Sequence, residues 1–229
     1  MNIGIITQAR TGSTRFPNKI LKKINNLSLL EIHLERLKKC NLIQKIIVAT
    51  TTKKTDNIIE EISKKYNIDF FRGSENDVLD RFYKTSIKFN LDIIVRVTSD
   101  CPLIDPVLID EMISFAVRNK LDYYTNTFNE TFPDGLDVEI FTFNTLKYAW
   151  GNAKLRSERE HVTPYIRKHS NFISKNFKFK TEAFFSEINY NDVRMTVDEL
   201  NDFEVIKILI NKFKIFESWF KYANYYRKN

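Results

Sequence analysis

Three cations crowd one short stretch, Gln8-Ala9-Arg10-Thr11-Gly12-Ser13-Thr14-Arg15-Phe16-Pro17-Asn18-Lys19, and no carboxylate within it neutralises Arg10, Arg15 and Lys19. Free backbone N–H groups and guanidinium forks suit a polyphosphate, because both match its oxygens. An ordinary exposed basic loop is the plainer alternative. The stretch is no P-loop, since G-x-x-x-x-G-K-[ST] is missing. Nor is it a dinucleotide fingerprint: the glycines, at 4, 12, 73, 135 and 151, contain no G-x-G. Two aspartates offer the complementary charge. Asp100 follows an apolar run in Thr98-Ser99-Asp100-Cys101-Pro102, and Mg²⁺ favours a few carboxylates together with phosphate oxygens. Asp105, directly before Pro106, suits a helix N-cap; Asp100 lies too early for that and is the metal candidate. Asp198 is the second candidate, unless it caps the following helix, a task open to Asn201 or Asp202. No Ser-His-Asp or Cys-His arrangement points to a covalent intermediate.

The elements that must carry these loops alternate. Ile3–Thr7 reads as a buried strand, Leu29–Cys40 as an amphipathic helix and Lys45–Thr50 as a second strand. Asp56–Tyr66 reads as a helix with Ile58, Ile59 and Ile62 inward, Asp69–Phe71 as a brief strand and Val78–Phe89 as a helix. Leu91–Val97 is the fourth strand and Pro106–Asn119 the next helix. Such an order predicts a parallel sheet with right-handed crossovers, which places ligands beyond the carboxyl ends of the strands. After Lys120 the rhythm changes. Asp122–Asn126 and Leu136–Phe141, separated by the turn at Pro133-Asp134-Gly135, predict an antiparallel addition. Helices are expected over Phe143–Lys154, Glu158–Lys168 and Asp202–Ile210, and a strand over Val193–Val197. The aromatic, basic tail Lys214–Asn229 reads as a packing helix or an oligomer contact. With no linker or repeat, residues 1–229 are expected to form one domain: a nucleotide-binding half, 1–120, and an acceptor-binding and possible dimerisation half, 121–229.

Taken together, the loops resemble the SpsF-like cytidylyltransferase family and, more distantly, acylneuraminate and 3-deoxy-manno-octulosonate cytidylyltransferases. The resemblance is carried by 8–19, Val48-Ala-Thr-Thr-Thr52, Phe71-Arg-Gly-Ser-Glu-Asn-Asp-Val-Leu-Asp-Arg81 and Arg96-Val-Thr-Ser-Asp-Cys-Pro-Leu-Ile-Asp105. It continues in Pro133-Asp-Gly-Leu-Asp-Val-Glu139, Ser157-Glu-Arg-Glu-His-Val-Thr-Pro164 and Arg194-Met-Thr-Val-Asp198, and ends near residue 210. Asn18 departs from the pattern, which often has Gly there, and Met195 stands where an aromatic residue is common.

The resemblance implies an α/β, three-layer GT-A/Rossmann-like nucleotidyltransferase fold, with CTP as donor and Mg²⁺ as cofactor. It implies nucleotide binding by Gln8, Ala9, Arg10, Thr11, Gly12, Ser13, Arg15 and Lys19, with Ala49, Thr50, Thr51, Val78, Leu79, Asp80 and Arg81 flanking the base. Arg10, Lys19 and Asp100 would carry the chemistry, and Asp100 and Asp198 would hold the metal. For an anionic, sugar-type acceptor, Asp134, Asp137 and Glu139 would meet hydroxyls, and Arg159 and Arg194 a carboxylate or phosphate. Glu160 and His161 complete that set, His161 as a candidate base. Alternatives are a nucleotidyltransferase using another triphosphate, a GT-A glycosyltransferase, or a basic nucleic-acid-binding protein. A glycosyltransferase would favour Asp-x-Asp where this chain has Ser99-Asp100-Cys101, and only the tail has the basic, aromatic character of a nucleic-acid binder.

Composition excludes several classes. Hydrophobic residues make up 43% and charged residues 28%, as in a globular chain able to bury a core. Two cysteines, Cys40 and Cys101, and three histidines build neither a disulfide framework nor a zinc site. No signal peptide or membrane-length apolar run is present, so a cytoplasmic protein with reduced thiols and no membrane partner is expected. The net charge of +7 is mostly solvated lysine, and no nucleic-acid partner is expected from it.

Overall fold

The N-terminal apolar run forms β1 (Ile3–Gln8), with Ile3 and Ile5 buried on one face of the sheet and Ile6 on the other. The computed structural model describes residues 1–228. A short hairpin, β2 (Lys23–Ile24) and β3 (Leu27–Ser28), turns through Asn25 and Asn26 at φ 49° and 72° and leads into α1 (Leu29–Leu37). Ser28 and Glu31 form a capping box at the start of α1, each satisfying an N–H group that the first helical turn leaves free. Then come β4 (Lys45–Thr51), α2 (Asn57–Lys65), β5 (Asp69–Gly73), α3 (Val78–Lys88), β6 (Ile93–Thr98) and α4 (Pro106–Arg118). Asp105 caps α4, accepting from the N–H groups of Val107 and Leu108.

The second half contains β7 (Tyr123–Thr125), β8 (Glu139–Thr142), α5 (Phe143–Asn152), α6 (Arg156–His161), α7 (Pro164–Lys168), β9 (Thr181–Ala183), α8 (Leu200–Phe213) and α9 (Trp219–Tyr226). Among the described residues the main sheet has the order β5-β4-β1-β6-β8-β7-β9. The strands β5, β4, β1 and β6 are parallel, and β8 joins β6 antiparallel, as the changed rhythm after Lys120 predicted. Leu29, Ile32 and Leu37 of α1 pack on one face with α4, α8 and α9; Val78, Leu79 and Phe82 of α3 pack on the other with α5 and α7. The result is the three-layer, mostly parallel α/β fold with an antiparallel addition. Strand order reverses between β1 and β6, and an open α/β sheet leaves its binding crevice there, at the carboxyl ends.

Several local expectations are corrected. The helix from Leu29 stops at Leu37, short of Cys40. Ile58 is 37% exposed, because the inward stripe of α2 is Ile59, Ile62 and Ser63. The expected helix 158–168 is broken into α6 and α7: Val162 takes φ 72° and Pro164 starts the second piece, where a missing N–H does no harm. Val193–Val197 is no ladder strand. It is extended, but Arg194 makes a single bridge to Asp134, and Val197 instead donates to the Asp100 carbonyl at 2.8 Å. The hairpin β2–β3 and the strand β9 escaped the sequence reading. The tail packs as α9, with Tyr222 and Ala223 buried; its last residue, Asn229, lies outside the described residues.

Candidate active site

The crevice at the β1/β6 switch point is a cleft of about 370 Å³. The end of β1 supplies Gln8 and the loop after it Ala9, Arg10, Gly12, Ser13, Thr14, Arg15 and Lys19; the loop after β6 supplies Ser99 and Asp100 beside Thr98; Asp198 precedes α8. Val78 and Arg81 of α3 form another wall, and Glu160 and His161, at the end of α6, a third. The break at Val162 ends α6 beside the cleft, so it places the last two side chains. Val78 lines the cleft as expected, and Thr14, Ile20, Thr98 and Ser99 line it without having been singled out as site residues. Thr14 adjoins Arg15, Ile20 adjoins Lys19, and Thr98 and Ser99 lead into Asp100, so proximity to proposed ligands was the available signal.

At the centre is Lys19. Its Nζ donates to Asp100 Oδ2 and to Asp198 Oδ1, each at 2.8 Å, and its side chain is only 11% exposed. Burial works against the ammonium charge, but the attraction of Asp100 and Asp198 and their hydrogen bonds outweigh it and hold the Lys19 pKa above the ordinary lysine value. Burial likewise opposes the Asp198 carboxylate, yet Lys19, Arg15 and Arg194 keep its pKa below the usual range. Arg15 lies 3.0 Å and Arg194 2.9 Å from Asp198.

These groups converge from distant parts of the chain through backbone stitching. Asp134 N–H donates to the Val193 carbonyl at 3.0 Å and Met195 N–H to the Asp134 carbonyl at 2.6 Å, which brings 193–197 against the turn at 133–135. Gly135 makes that approach possible: it has φ 108°, and a Cβ there would lie 2.5 Å from the backbone of Met195 and Thr196. Asp202 accepts from the N–H groups of Asp198 and Glu199, so it does the capping and leaves the Asp198 carboxylate to face the cleft. Asn18 adopts φ 56°, a left-handed conformation that Asn tolerates better than most residues. The chain thus keeps the turn before Lys19 without the glycine common at this place in the resembling family.

Other proposed residues are placed elsewhere. Thr11 donates through its N–H and hydroxyl to Asp56, and Thr51 donates to the same carboxylate, so both brace the loop from behind. Leu79 is core, Thr50 is buried, and Asp80 accepts from the Trp150 indole N–H at 3.0 Å. Arg159 binds Asp77 at 2.7 Å and the carbonyls of Trp150 and Ala153, while Glu139 of β8 pairs with Arg96 and Tyr123 of the neighbouring strands β6 and β7. Arg194 is shared by Asp134, Asp198 and Asp202. Apart from Asp198, none of these lines the cleft. Asp137 is half-buried; burial and the nearby Asp134, Glu139 and Glu130 push its pKa up to about 7.

The donor set at the centre suits a divalent cation. Lys19 Nζ acts as a stand-in cation, since two carboxylate oxygens from separate loops already converge on it. Two carboxylates, with phosphate oxygens completing the shell, is a preferred Mg²⁺ arrangement.

Residues 3–224 match the family described as Cytidylyltransferase. This chain belongs to the cytidylyltransferase family. Among curated relatives of this cytidylyltransferase, the spore coat polysaccharide biosynthesis protein SpsF of Bacillus subtilis is 36% identical over 216 residues, covering 92% of this chain and 87% of the relative. The uncharacterized protein MJ1063 of Methanocaldococcus jannaschii is 45% identical over 203 residues, covering 89% and 80%. A solved cytidylyltransferase from Leptospira borgpetersenii superposes with a TM-score of 0.94 at 37% identity, covering 100% of this chain and 95% of that one. No helix among the described residues is long and apolar enough to cross a membrane.

Proposed function

We propose that the protein transfers CMP from CTP to an anionic, sugar-type acceptor in surface polysaccharide or glycan precursor synthesis, releasing pyrophosphate, with Mg²⁺ held by Asp100 and Asp198. The observation that carries this reading is the convergence of Asp100 and Asp198 on one cation at the β1/β6 switch point, beneath the cationic loop. The name of the relative SpsF, a polysaccharide biosynthesis protein, favours a sugar-type acceptor.

An acceptor oxygen must approach an anionic α-phosphorus, so the protein's task is positioning and charge neutralisation. Arg10, Arg15 and Lys19 receive the triphosphate and stabilise the charge that builds on the leaving pyrophosphate. When bound, Mg²⁺ supplies Lewis-acid polarisation of the phosphoryl oxygens. Gln8 Oε1 and Arg81 Nε are buried with no hydrogen-bond partner among the described residues, and both side chains line the cleft. An acceptor and a donor left open in this way match the 4-amino group and the O2/N3 edge of cytosine. Glu160 and His161, which line the same cleft, would meet the acceptor.

The test offers the enzyme CTP, UTP, ATP or GTP with Mg²⁺ and a panel of acidic and phosphorylated sugars. Pyrophosphate release and a CMP-conjugate by mass spectrometry, with CTP alone among the nucleotides, is the expected result. Glycosyl transfer from a nucleotide sugar, or binding of RNA in place of turnover, would refute the reading.

A further inference from the structure

His33 is fully buried in α1, on the apolar face that also carries Leu29, Leu30 and Leu37. Its two ring nitrogens are both used. Nδ1 lies 2.9 Å from the Cys101 carbonyl and Nε2 lies 2.9 Å from the Thr7 hydroxyl. Burial lowers the His33 pKa to about 4, so the ring is neutral at physiological pH and carries one N–H. A carbonyl oxygen only accepts, so Nδ1–H donates to Cys101, Nε2 accepts, and the Thr7 hydroxyl donates to it. The polarity of the relay is fixed from end to end.

Its two ends matter. Thr7 is the penultimate residue of β1, directly before the cationic loop. Cys101 directly follows Asp100, whose own carbonyl accepts from Val197 N–H at 2.8 Å. The backbone on either side of the Cys101 peptide is therefore held twice, once by the segment that carries Asp198 and once by His33. Leucine at position 33 would continue the apolar face at no desolvation cost. A fully satisfied imidazole fixes one geometry, where apolar packing tolerates several.

We propose that Thr7 and His33 are positioning residues for Asp100: the relay sets the Asp100 carboxylate against the loop after β1, at the distance required to share a divalent cation with Asp198. The proposal rests on the metal assignment above. The relay touches neither nucleotide nor metal, and acts through the backbone that bears Asp100.

Mn²⁺ binding, followed by electron paramagnetic resonance in the presence of α,β-methylene-CTP, tests the proposal without knowledge of the acceptor. Thr7→Val removes the hydroxyl at nearly constant volume and leaves Nε2 without its donor. It is expected to raise the Mn²⁺ dissociation constant at least fivefold, while the metal-free affinity for the nucleotide stays within twofold. Thr7→Ser, which restores a hydroxyl, is expected to return Mn²⁺ affinity to within twofold of wild type. A Thr7→Val protein of lowered melting temperature but unchanged Mn²⁺ affinity would overturn the proposal, since a purely structural contact behaves that way. Should Thr7→Val not fold, the wild-type ¹⁵N resonances of His33 decide: Mg²⁺ added to the nucleotide complex shifts them if the relay is coupled to Asp100, and unmoved resonances overturn the coupling. Failure of the wild-type complex to bind Mn²⁺ at all would instead remove the metal assignment, and the proposal with it.

Discussion

Replacing Lys19 by methionine keeps most of the stem and deletes the charge that two carboxylates share. Each Nζ–carboxylate contact is 2.8 Å, and the attraction of two unit charges near a protein surface is about 4 kcal/mol at 4 Å. Desolvation of an ammonium with 11% exposure offsets much of this. Asp198 retains Arg15 and Arg194, so the loss falls on Asp100, whose ion partner among the described residues is Lys19. We therefore expect Lys19→Met to cost about 1–3 kcal/mol, or roughly 2–12 °C in melting temperature for a chain of this size. The cleft then holds two carboxylates with one charge fewer, so Mg²⁺ alone should raise the melting temperature of the variant more than that of the wild type. Turnover, in contrast, should fall about 10²–10³-fold, because the cation also serves the triphosphate. Calorimetry of both proteins with and without Mg²⁺ is the assay. Equal melting temperatures, or an equal Mg²⁺ effect on both, would refute the argument that Lys19 occupies the seat of the metal.

Gly135→Ala places a Cβ 2.5 Å from the backbone of Met195 and Thr196, at φ 108°; chemical denaturation should show a loss of at least about 3 kcal/mol, together with weakened nucleotide binding as Asp198 shifts. Asp137 titrates near 7 in the fold but near its ordinary carboxylate value when unfolded. Between those two values the folded chain holds a proton that the unfolded chain has released, so Asp137 subtracts stability as pH rises, fully so above about 7. Asp137→Asn should accordingly gain about 1–3 kcal/mol over wild type at pH 8 and nothing below pH 4, read from denaturation at both pH values. Gln8→Leu removes the open acceptor in the cleft, and the preference for CTP over UTP in steady-state kinetics should fall at least about tenfold.

How far the sequence could be read follows from the range of the interactions. Strands β1, β4 and β6 and helix α4 were legible because their signals are local: apolar runs, periodic stripes, and Asp105 before Pro106. The position of the crevice followed from their order alone. Arg159 and Arg194 were not legible in this way. A guanidinium matches a ligand carboxylate and an internal one equally well, and the internal partners Asp77 and Asp134 lie 82 and 60 residues away. The same holds for β9, whose partner β7 lies far back along the chain. Val193–Val197 has the composition of a strand, but its backbone bonds go to the 133–135 turn and to Asp100. His33 is, by sequence, a lone histidine within an amphipathic helix; that its ring ties Thr7 to Cys101 depends on contacts 26 and 68 residues distant.

Lys19 and Asp198 stand 179 positions apart yet touch. A ribosome must therefore deliver the chain through Asp198 before the cleft can close, and the basic loop emerges long before that carboxylate. Contacts of such span are slow to form, so the newborn chain holds Arg15 bare, and Lys19 with Asp100 alone to meet it, until the segment before α8 docks and brings Asp198 to both.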